Sequence, residues 1–288
     1  MKIFWAILFS VCLIVGIEFG LRHWTKPSIP SKKITLLLPE QTKKEPALDI
    51  KKVSSTDELF NLLEQQNSID VKPIYVENFP ADFAQNKNLS LFVYVLMPYL
   101  LDNNEKLLKE KERFLPIADK VLKNAQLTPE ERVFYDFLID KYAIVEIGPS
   151  SEVNALIRQL GQISPALAIA QALEFSNEGK DHWADNSFFG VHHWAKDENG
   201  QDVYIPKTYP TVKDAVDDYV LYMNKMVGLY GWRELRTVYQ DSQYPRQGKI
   251  FARYMESWRL EDKEYTKKLA DLFDKYQLQQ FDFSTLTK

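Results

Sequence analysis

The amino-acid sequence predicts a mainly α-helical fold with one small β-hairpin. The first observation is a repeated helix-start signal, at Thr128-Pro129 and again at Ser164-Pro165. A hydroxyl side chain at the N-cap and a proline in the first turn are favoured at helix N-termini. The second observation is Asn199-Gly200 between two segments of strand-like residues, which is typical of a hairpin turn. With 45% hydrophobic residues, the 288-residue chain can bury a substantial core.

Residues 1–25 are predicted to be a signal anchor or transmembrane segment. Lys2 precedes an apolar run from Ile3 to Ile17, which resumes after Glu18 and approaches the ~20 residues that a membrane span needs. At its end, Gly16-Ile17-Glu18 and Phe19-Gly20-Leu21 match the A-x-A-like pattern of a cleavage site poorly, which favours an uncleaved anchor over a cleaved signal peptide. The expected location is the inner membrane of a Gram-negative cell, with a single pass and a periplasmic body. The only cysteine, Cys12, lies in this run, so the exported body is expected to depend on packing alone.

Residues 26–54 are predicted to be a linker, because four prolines lie there among many lysines. Residues 55–149 are predicted to form a helical N-terminal domain. Ser55 and Glu58 have the spacing of a capping box, so a short helix should begin there. A helix over residues 89–113 should be buried in its first half, amphipathic in its second and kinked at Pro98. The signal at Thr128-Pro129 should begin the next helix.

Residues 150–288 are predicted to form a second domain. The signal at Ser164-Pro165 should begin a helix that ends near Ser176. The hairpin is expected between residues 189 and 208. Further helices are predicted by apolar periodicity over residues 211–227, 232–240, 250–258 and 262–277.

The composition excludes some classes of function. The net charge of −4 and the lack of a basic cluster with interleaved aromatics argue against nucleic-acid binding. The sequence contains neither a glycine-rich phosphate loop nor a nucleophile-elbow motif, and no cofactor is expected.

Two groups of segments resemble a known family. The segment beginning "PADFAQNKNLSLFVYVLMPYLLDNN" is similar to the helical N-terminal part of bacterial Bax-type proteins, which are unrelated to the apoptosis regulator. The ordered series "SPALAIAQALEFSNEGKDHWADNSFFGVHHW", "YPTVKDAVDDYVLYMN" and "GWRELR" resembles their glucosaminidase domain, which flagellar peptidoglycan hydrolases share. The resemblance covers about residues 71–278. It implies a lysozyme-like fold for residues 150–288 and the glycan strands of peptidoglycan as the ligand.

The resemblance also indicates a degenerate catalytic motif. The family's helix reads Ala-Gln-Ala-Ala-x-Glu-Ser-x-Trp-Gly, and without gaps its general-acid Glu falls on Phe175. Glu174 lies one residue earlier, which on a helix is a rotation of about 100°. The tyrosine that often precedes the "ELR" element in the family is replaced by Trp232.

Two carboxylates are candidates for catalysis, Glu174 at the end of the helix and Glu178 in the loop after it. Cleavage of a glycosidic bond needs a proton donor for the departing oxygen, and a partly desolvated carboxyl can serve. In the alternative interpretation, Glu174 pairs or caps locally and Glu178 is a solvated loop charge.

Aromatic side chains near these carboxylates are candidates for stacking on sugar rings, and core packing is the alternative role for them. The candidates for substrate binding are Phe175, Trp183, Phe189, His192, Trp194 and Trp232, with Phe188 beside them. His192-His193 is weak evidence for a metal site, because adjacent strand residues face opposite ways and only His23 and His182 could add to them. We therefore expect no metal site. Asp217 and Asp218 are interpreted as a solvated helix edge.

Two classes of function follow from these observations. The first is a glucosaminidase-like protein that acts on or binds peptidoglycan glycan strands, with hydrolytic activity weak or lost. The second is a non-catalytic module that binds a protein partner of the cell envelope.

Overall fold

A computed structural model describes residues 47–86, 88–146, 148–240, 247–259 and 262–287. The predicted anchor, residues 1–25, and most of the predicted linker, residues 26–54, lie outside the described residues. Within the described part, no helix is both long enough and apolar enough to cross a membrane.

Helices dominate the described residues, as the sequence predicts. In chain order they are α1 (Thr56–Leu63), α2 (Phe83–Asn86), α3 (Leu89–Leu122), α4 (Pro129–Lys141), α5 (Pro149–Gln159), α6 (Pro165–Phe175), α7 (Val212–Lys225), α8 (Tyr230–Gln240), α9 (Gly248–Ala252) and α10 (Tyr265–Tyr276). Turns of 3₁₀-helix cover Val227–Leu229, Glu256–Trp258 and Leu278–Phe283.

The strands are few and short. In chain order they are β1 (Ile50–Lys51), β2 (Asp70–Val71), β3 (Tyr75–Val76), β4 (His192–Lys196), β5 (Asp202–Pro206) and β6 (Thr285–Leu286). β1 pairs with β3 and β2 with β6, both in parallel, and β4 and β5 form the one antiparallel hairpin of the described residues. The predicted class, mainly α with one small hairpin, is therefore confirmed.

The predicted helix starts are confirmed at the level of individual hydrogen bonds. The Thr128 side chain accepts from the backbone N–H of Glu131, whose carboxylate in turn accepts from the backbone N–H of Thr128. The Ser164 side chain accepts from the backbone N–H of Leu167. These bonds form because the first backbone N–H groups of a helix have no partner within it.

Helix α6 lies at the centre of the core. Every residue from Pro165 to Leu173 is buried, and the helix packs against α3, α9, α10 and the C-terminal 3₁₀ turn. α3 is buried on almost all sides in its first half and on one face in its second, as predicted. It continues through Pro98 and Pro116 to Leu122, nine residues beyond the predicted end.

Asn104 of α3 fixes the segment that leads into α6. Its amide donates to the carbonyl oxygen of Ile163 and accepts from the N–H of Ile163, both at 2.7 Å. The contacts of α3 with α5, α6 and α7 cross the predicted domain boundary at residues 149–150. The described residues lie in one compact unit, Lys44–Lys288, and the division into two domains stays a prediction.

Several elements differ from the prediction, and two of them are helices of the second predicted domain or its border. The helix expected over residues 250–258 is wrong: α9 ends at Ala252, and a separate 3₁₀ turn covers Glu256–Trp258. The break lets Trp258 contact Tyr219 and Tyr222 of α7, so tertiary packing overrides the local periodicity. Helix α5 was not predicted, although the proline at its first position is a start signal.

Candidate functional site

Five aromatic rings form an unbroken series, which we call the aromatic strip: His182, Phe175, His192, Tyr204 and Trp194. The ring of Phe175 stacks on His182 with centroids 4.8 Å apart and meets His192 edge-on at 6.0 Å. His192 stacks on Tyr204 at 5.1 Å, and Tyr204 lies 5.1 Å from Trp194. The series therefore joins the end of α6 and the loop after it to the hairpin.

The hairpin register explains why three of these rings share one face. Trp194 pairs directly with Tyr204 across the two strands, and His192 lies two residues before Trp194. Side chains two residues apart on a strand point to the same face, so the three rings are neighbours. Trp194 is 69% exposed and Tyr204 51%, which leaves this end of the strip open to a ligand.

The loop of the hairpin has five residues between β4 and β5 rather than the two of the predicted turn. Asp197 closes it, because its carboxylate accepts from the backbone N–H groups of Asn199 and Gln201 at 2.9 and 2.8 Å. Gly200 takes a positive φ of 76°, which a glycine tolerates without strain.

Gly190 allows the loop to approach Phe175. A Cβ atom at this position would lie 2.5 Å from the Phe175 ring, closer than any real contact, and the φ of Gly190 is +64°. The carbonyl oxygen of the same glycine lies 2.7 Å from Nδ1 of His192. One glycine therefore accommodates the ring of Phe175 and orients the ring of His192.

Helix α7 supports the strip from behind. Burial and a hydrogen bond with Tyr204 raise the pKa of Tyr222. The ring of Trp258 meets Tyr222 edge-on, with centroids 5.4 Å apart. Tyr204 is thereby held in position although half of its surface is exposed.

Glu174 lies beside the strip in a partly desolvated position. Its side chain is 12% exposed, and its carboxylate lies 3.5 Å from Arg259 Nη1 and 3.9 Å from Lys268 Nζ. Burial raises the pKa of Glu174, against the opposing effect of the two cations. The guanidinium of Arg259 also lies 5.4 Å from the centroid of the Phe175 ring, so it links the carboxylate to the strip. The arrangement gives Glu174 some capacity to hold a proton.

A buried polar chain holds the helix that carries Glu174. Gln171 accepts from the hydroxyl of Tyr219 at 2.7 Å and donates to the hydroxyl of Tyr265 at 3.0 Å. All three residues are almost fully buried, and burial raises the pKa of both tyrosines. Because the chain joins α6 to α7 and α10, it limits the movement of Glu174. The sequence analysis did not select Gln171, although a polar residue on an otherwise apolar helix could have indicated it.

Glu178 is in a different electrostatic state. Its carboxylate accepts from Lys275 Nζ at 2.6 Å and from the hydroxyl of Tyr276 at 2.7 Å. Hydrogen bonds from Lys275 and Tyr276 lower the pKa of Glu178. It is therefore ionised at neutral pH and unsuited to donate a proton.

We expect Glu178→Gln to cost about 0.5–1 kcal/mol of unfolding free energy at neutral pH, as is usual for a partly exposed ion pair. Because the folded-state pKa is lowered, this contribution is complete above the ordinary glutamate pKa and is lost as pH falls through the lowered value. Urea unfolding between about pH 7 and pH 3 measures it, with Glu198→Gln in the exposed hairpin loop as the control. A difference that grows as pH falls would contradict this account.

Two predicted binding residues belong to the core instead. Phe189 is 2% exposed and stacks on Tyr219 with centroids 4.1 Å apart. Trp232 is 1% exposed and packs against Phe251. Both rings are large and apolar, and α7 and α9 provide the apolar surface that covers them. Neither ring face is open to a ligand, so Phe189 and Trp232 are not substrate-binding residues of the strip.

The other sequence candidates are placed as follows. Trp183 is half-buried and lies 6.2 Å from Phe83, at the edge of the core. His193 is on the hairpin face opposite His192, and among the described residues no three His, Cys, Asp or Glu side chains are grouped to hold a metal ion. His23 lies outside the described residues.

The acidic pair of α7 is not a solvated edge, contrary to the prediction. Asp217 accepts from Asn103 of α3 at 2.8 Å. Asp218 accepts from Lys207 Nζ at 2.8 Å and from the hydroxyl of Tyr209 at 2.7 Å. Asp218 therefore ties the end of the hairpin to α7.

Sequence reasoning missed Tyr204, Tyr222 and Arg259, and considered His182 only as a metal ligand. Tyr204 could have been predicted from the register of the hairpin, because the residues that share one face of a strand are spaced two apart. Arg259 had no such signal, because it reaches Glu174 from 85 residues away.

No protein-family model and no curated protein matches this sequence. Among solved structures, the chain is similar to the catalytic domain of the autolysin Auto from Listeria monocytogenes, with 18% sequence identity and a TM-score of 0.29. The match covers 57% of this chain and 94% of the autolysin domain. A TM-score this low carries no argument about the activity of this chain.

Proposed function

We propose that this protein is an exported, membrane-anchored, glucosaminidase-like protein that binds the glycan strands of peptidoglycan through the aromatic strip, with weak or no hydrolytic activity. The observation that carries the proposal is the strip itself, which ends in the exposed rings of Trp194 and Tyr204. Sugar rings carry apolar C–H faces, and an exposed aromatic face offers them a flat apolar surface at little cost in side-chain entropy.

We expect weak hydrolysis because none of the three side chains at the end of α6 and in the loop after it is well suited to donate a proton. Phe175 occupies the position that the family resemblance assigns to the general acid, and a phenyl ring donates no proton. Glu178 is held ionised by Lys275 and Tyr276. Glu174 has the raised pKa of an acid, but Arg259 and Lys268 lie against its carboxylate. Loss of general-acid catalysis typically lowers a rate ~10²–10⁴-fold, whereas stacking and shape persist.

Release of muropeptides from purified sacculi tests the proposal. The full-length chain should pellet with sacculi and release at least about 10²-fold less product than an active glucosaminidase. Glu174→Gln and Glu178→Gln should leave both readouts unchanged, and Phe175→Glu should raise release by returning a carboxyl to the strip. Robust release that Glu174→Gln abolishes would contradict the proposal and identify Glu174 as the acid.

A protein partner in the cell envelope is the second candidate function. Ile205 is 41% exposed on the hairpin face opposite the aromatic strip, where it pairs with His193, and an exposed apolar side chain there also suits a protein interface. If the protein neither releases muropeptides nor pellets with sacculi, the result would favour this candidate.

The proposed anchor rests on the apolar composition of residues 3–21. We expect the protein to remain in the membrane pellet after alkaline extraction, because an uncleaved span is removed only by detergent. A mature form cut near residue 20 and recovered in the soluble fraction would show a cleaved signal instead.

A further inference from the structure

The loop at the tip of the hairpin, residues 197–201, holds the pair Asn199-Gly200 in open surroundings. Residues 198–201 are all exposed, and a Cβ atom added at Gly200 would meet no other atom within 4 Å. Among the described residues, the side-chain amide of Asn199 makes no hydrogen bond. This amide can therefore rotate toward the backbone nitrogen of Gly200, and water reaches both groups.

An asparagine that precedes a glycine can react with its own backbone. The nitrogen of Gly200, after losing its proton, attacks the side-chain carbonyl carbon of Asn199, and ammonia leaves as the amide C–N bond breaks. Water then opens the resulting succinimide ring at one of its two carbonyl groups, which gives aspartate or isoaspartate. Glycine favours ring closure because it has no side chain to hinder the attack. The reaction consumes water and releases ammonia, and it needs no other reactant.

The folded loop restrains the attacking nitrogen through a single residue, Asp197. The N–H of Gly200 donates to the backbone carbonyl oxygen of Asp197 at 3.0 Å. The Asp197 carboxylate accepts from the N–H groups of Asn199 and Gln201 at 2.9 and 2.8 Å. Because the attack requires the Gly200 nitrogen to be released from its acceptor, the reaction proceeds from the opened loop. The bonds to Asp197 determine how often the loop opens.

We propose that Asn199 is a modification site, at which the hairpin loop undergoes deamidation at a rate that Asp197 controls. The product places a third carboxylate directly after those of Asp197 and Glu198. Aspartate at this position repels the carboxylate that closes the loop. Isoaspartate adds one carbon to the backbone before Gly200 and so displaces its N–H from the carbonyl of Asp197. Both products loosen the loop, and the reaction does not depend on the proposed glycan binding.

Peptide mass spectrometry of the full-length chain tests the modification. After incubation at neutral or mildly alkaline pH, the tryptic peptide of residues 197–207 should gain the mass of an amide-to-acid change, with isoaspartate in excess. The rate should rise with pH, because the attacking nitrogen must lose its proton. Asn124 is the control in the same sample: it is exposed, and the next N–H, that of Ala125, is also hydrogen-bonded, to the carbonyl oxygen of Lys120 at 2.8 Å. The Cβ atom of Ala125 hinders the attack, so Asn124 should keep its amide.

Two variants test the role of Asp197. Asp197→Ala removes two bonds to a charged acceptor and should speed deamidation of Asn199 about 5–10-fold. Glu198→Gln removes the neighbouring exposed charge and should leave the rate within about twofold. An unchanged rate in Asp197→Ala would overturn the control by Asp197.

The wild-type chain gives the remaining readouts, which do not depend on the folding of a variant. Amide hydrogen exchange over residues 197–207 should be faster in the deamidated protein than in fresh protein. Equal exchange in the two samples would overturn the loosening of the loop. An intact Asn199, or equal amide loss at Asn124 and Asn199, would overturn the proposed site.

Discussion

Replacing Trp194 and Tyr204 together by alanine should weaken binding of the full-length chain to sacculi about 30–150-fold. The two rings are the most exposed members of the aromatic strip, and each stacking contact with a ligand is worth about 1–1.5 kcal/mol. Because both side chains are more than half exposed, the free energy of unfolding should change by less than about 1 kcal/mol. Co-sedimentation at a series of sacculus concentrations measures the binding.

The matched control is Phe60→Ala. Phe60 is an exposed aromatic residue of α1 with 49% exposure, close to that of Tyr204, and it is not part of the strip. Equal losses in the control and in the double variant would show that the effect is general surface hydrophobicity. Unchanged binding in the double variant would remove the strip from the proposed function.

Asp282→Ala should lower the free energy of unfolding by about 3–4 kcal/mol and the melting temperature by about 10 °C. The buried carboxylate accepts from the hydroxyl of Ser164 at 2.6 Å and from the backbone N–H of Gly248 at 2.7 Å. It therefore serves the N-termini of α6 and α9 together, where backbone N–H groups favour a negative charge. Alanine would leave these donors buried without a partner.

Asp274→Ala is the control for Asp282→Ala. Asp274 pairs with Lys249 of α9 at 2.5 Å, but its side chain is 66% exposed. An exposed pair contributes at most about 1 kcal/mol, so this variant should be nearly as stable as the wild type. Thermal unfolding followed by circular dichroism compares the two, and equal losses would contradict a special role for the buried carboxylate.

Asp282 also illustrates the limit of prediction from local sequence. The Ser164-Pro165 signal predicts where α6 begins, because an N-cap hydroxyl acts on a backbone N–H three residues away. Nothing near Asp282 in the sequence indicates that it would bond to that same serine, 118 residues earlier. The helix start is a local property, whereas the contact between that start and the buried carboxylate of Asp282 depends on how the whole chain folds.

The candidate site divides in the same way. The sequence indicates two carboxylates four residues apart, with Phe175 between them. It does not indicate that Lys275, 97 residues later, keeps one of them ionised while burial raises the pKa of the other. Opposite pKa shifts in similar side chains arise from neighbours that only folding brings near.

The sequence alone predicted the mainly helical class, the hairpin and the aromatic character of the residues around it. Each depends on residues close together in the chain, through capping, periodicity and turn chemistry. The tertiary structure alone decided that Phe189 and Trp232 are core residues, while Phe175, His192 and Trp194 join His182 and Tyr204 in one strip. An aromatic residue suits a core and a surface equally well, and the helices packed over each ring determine which role it takes.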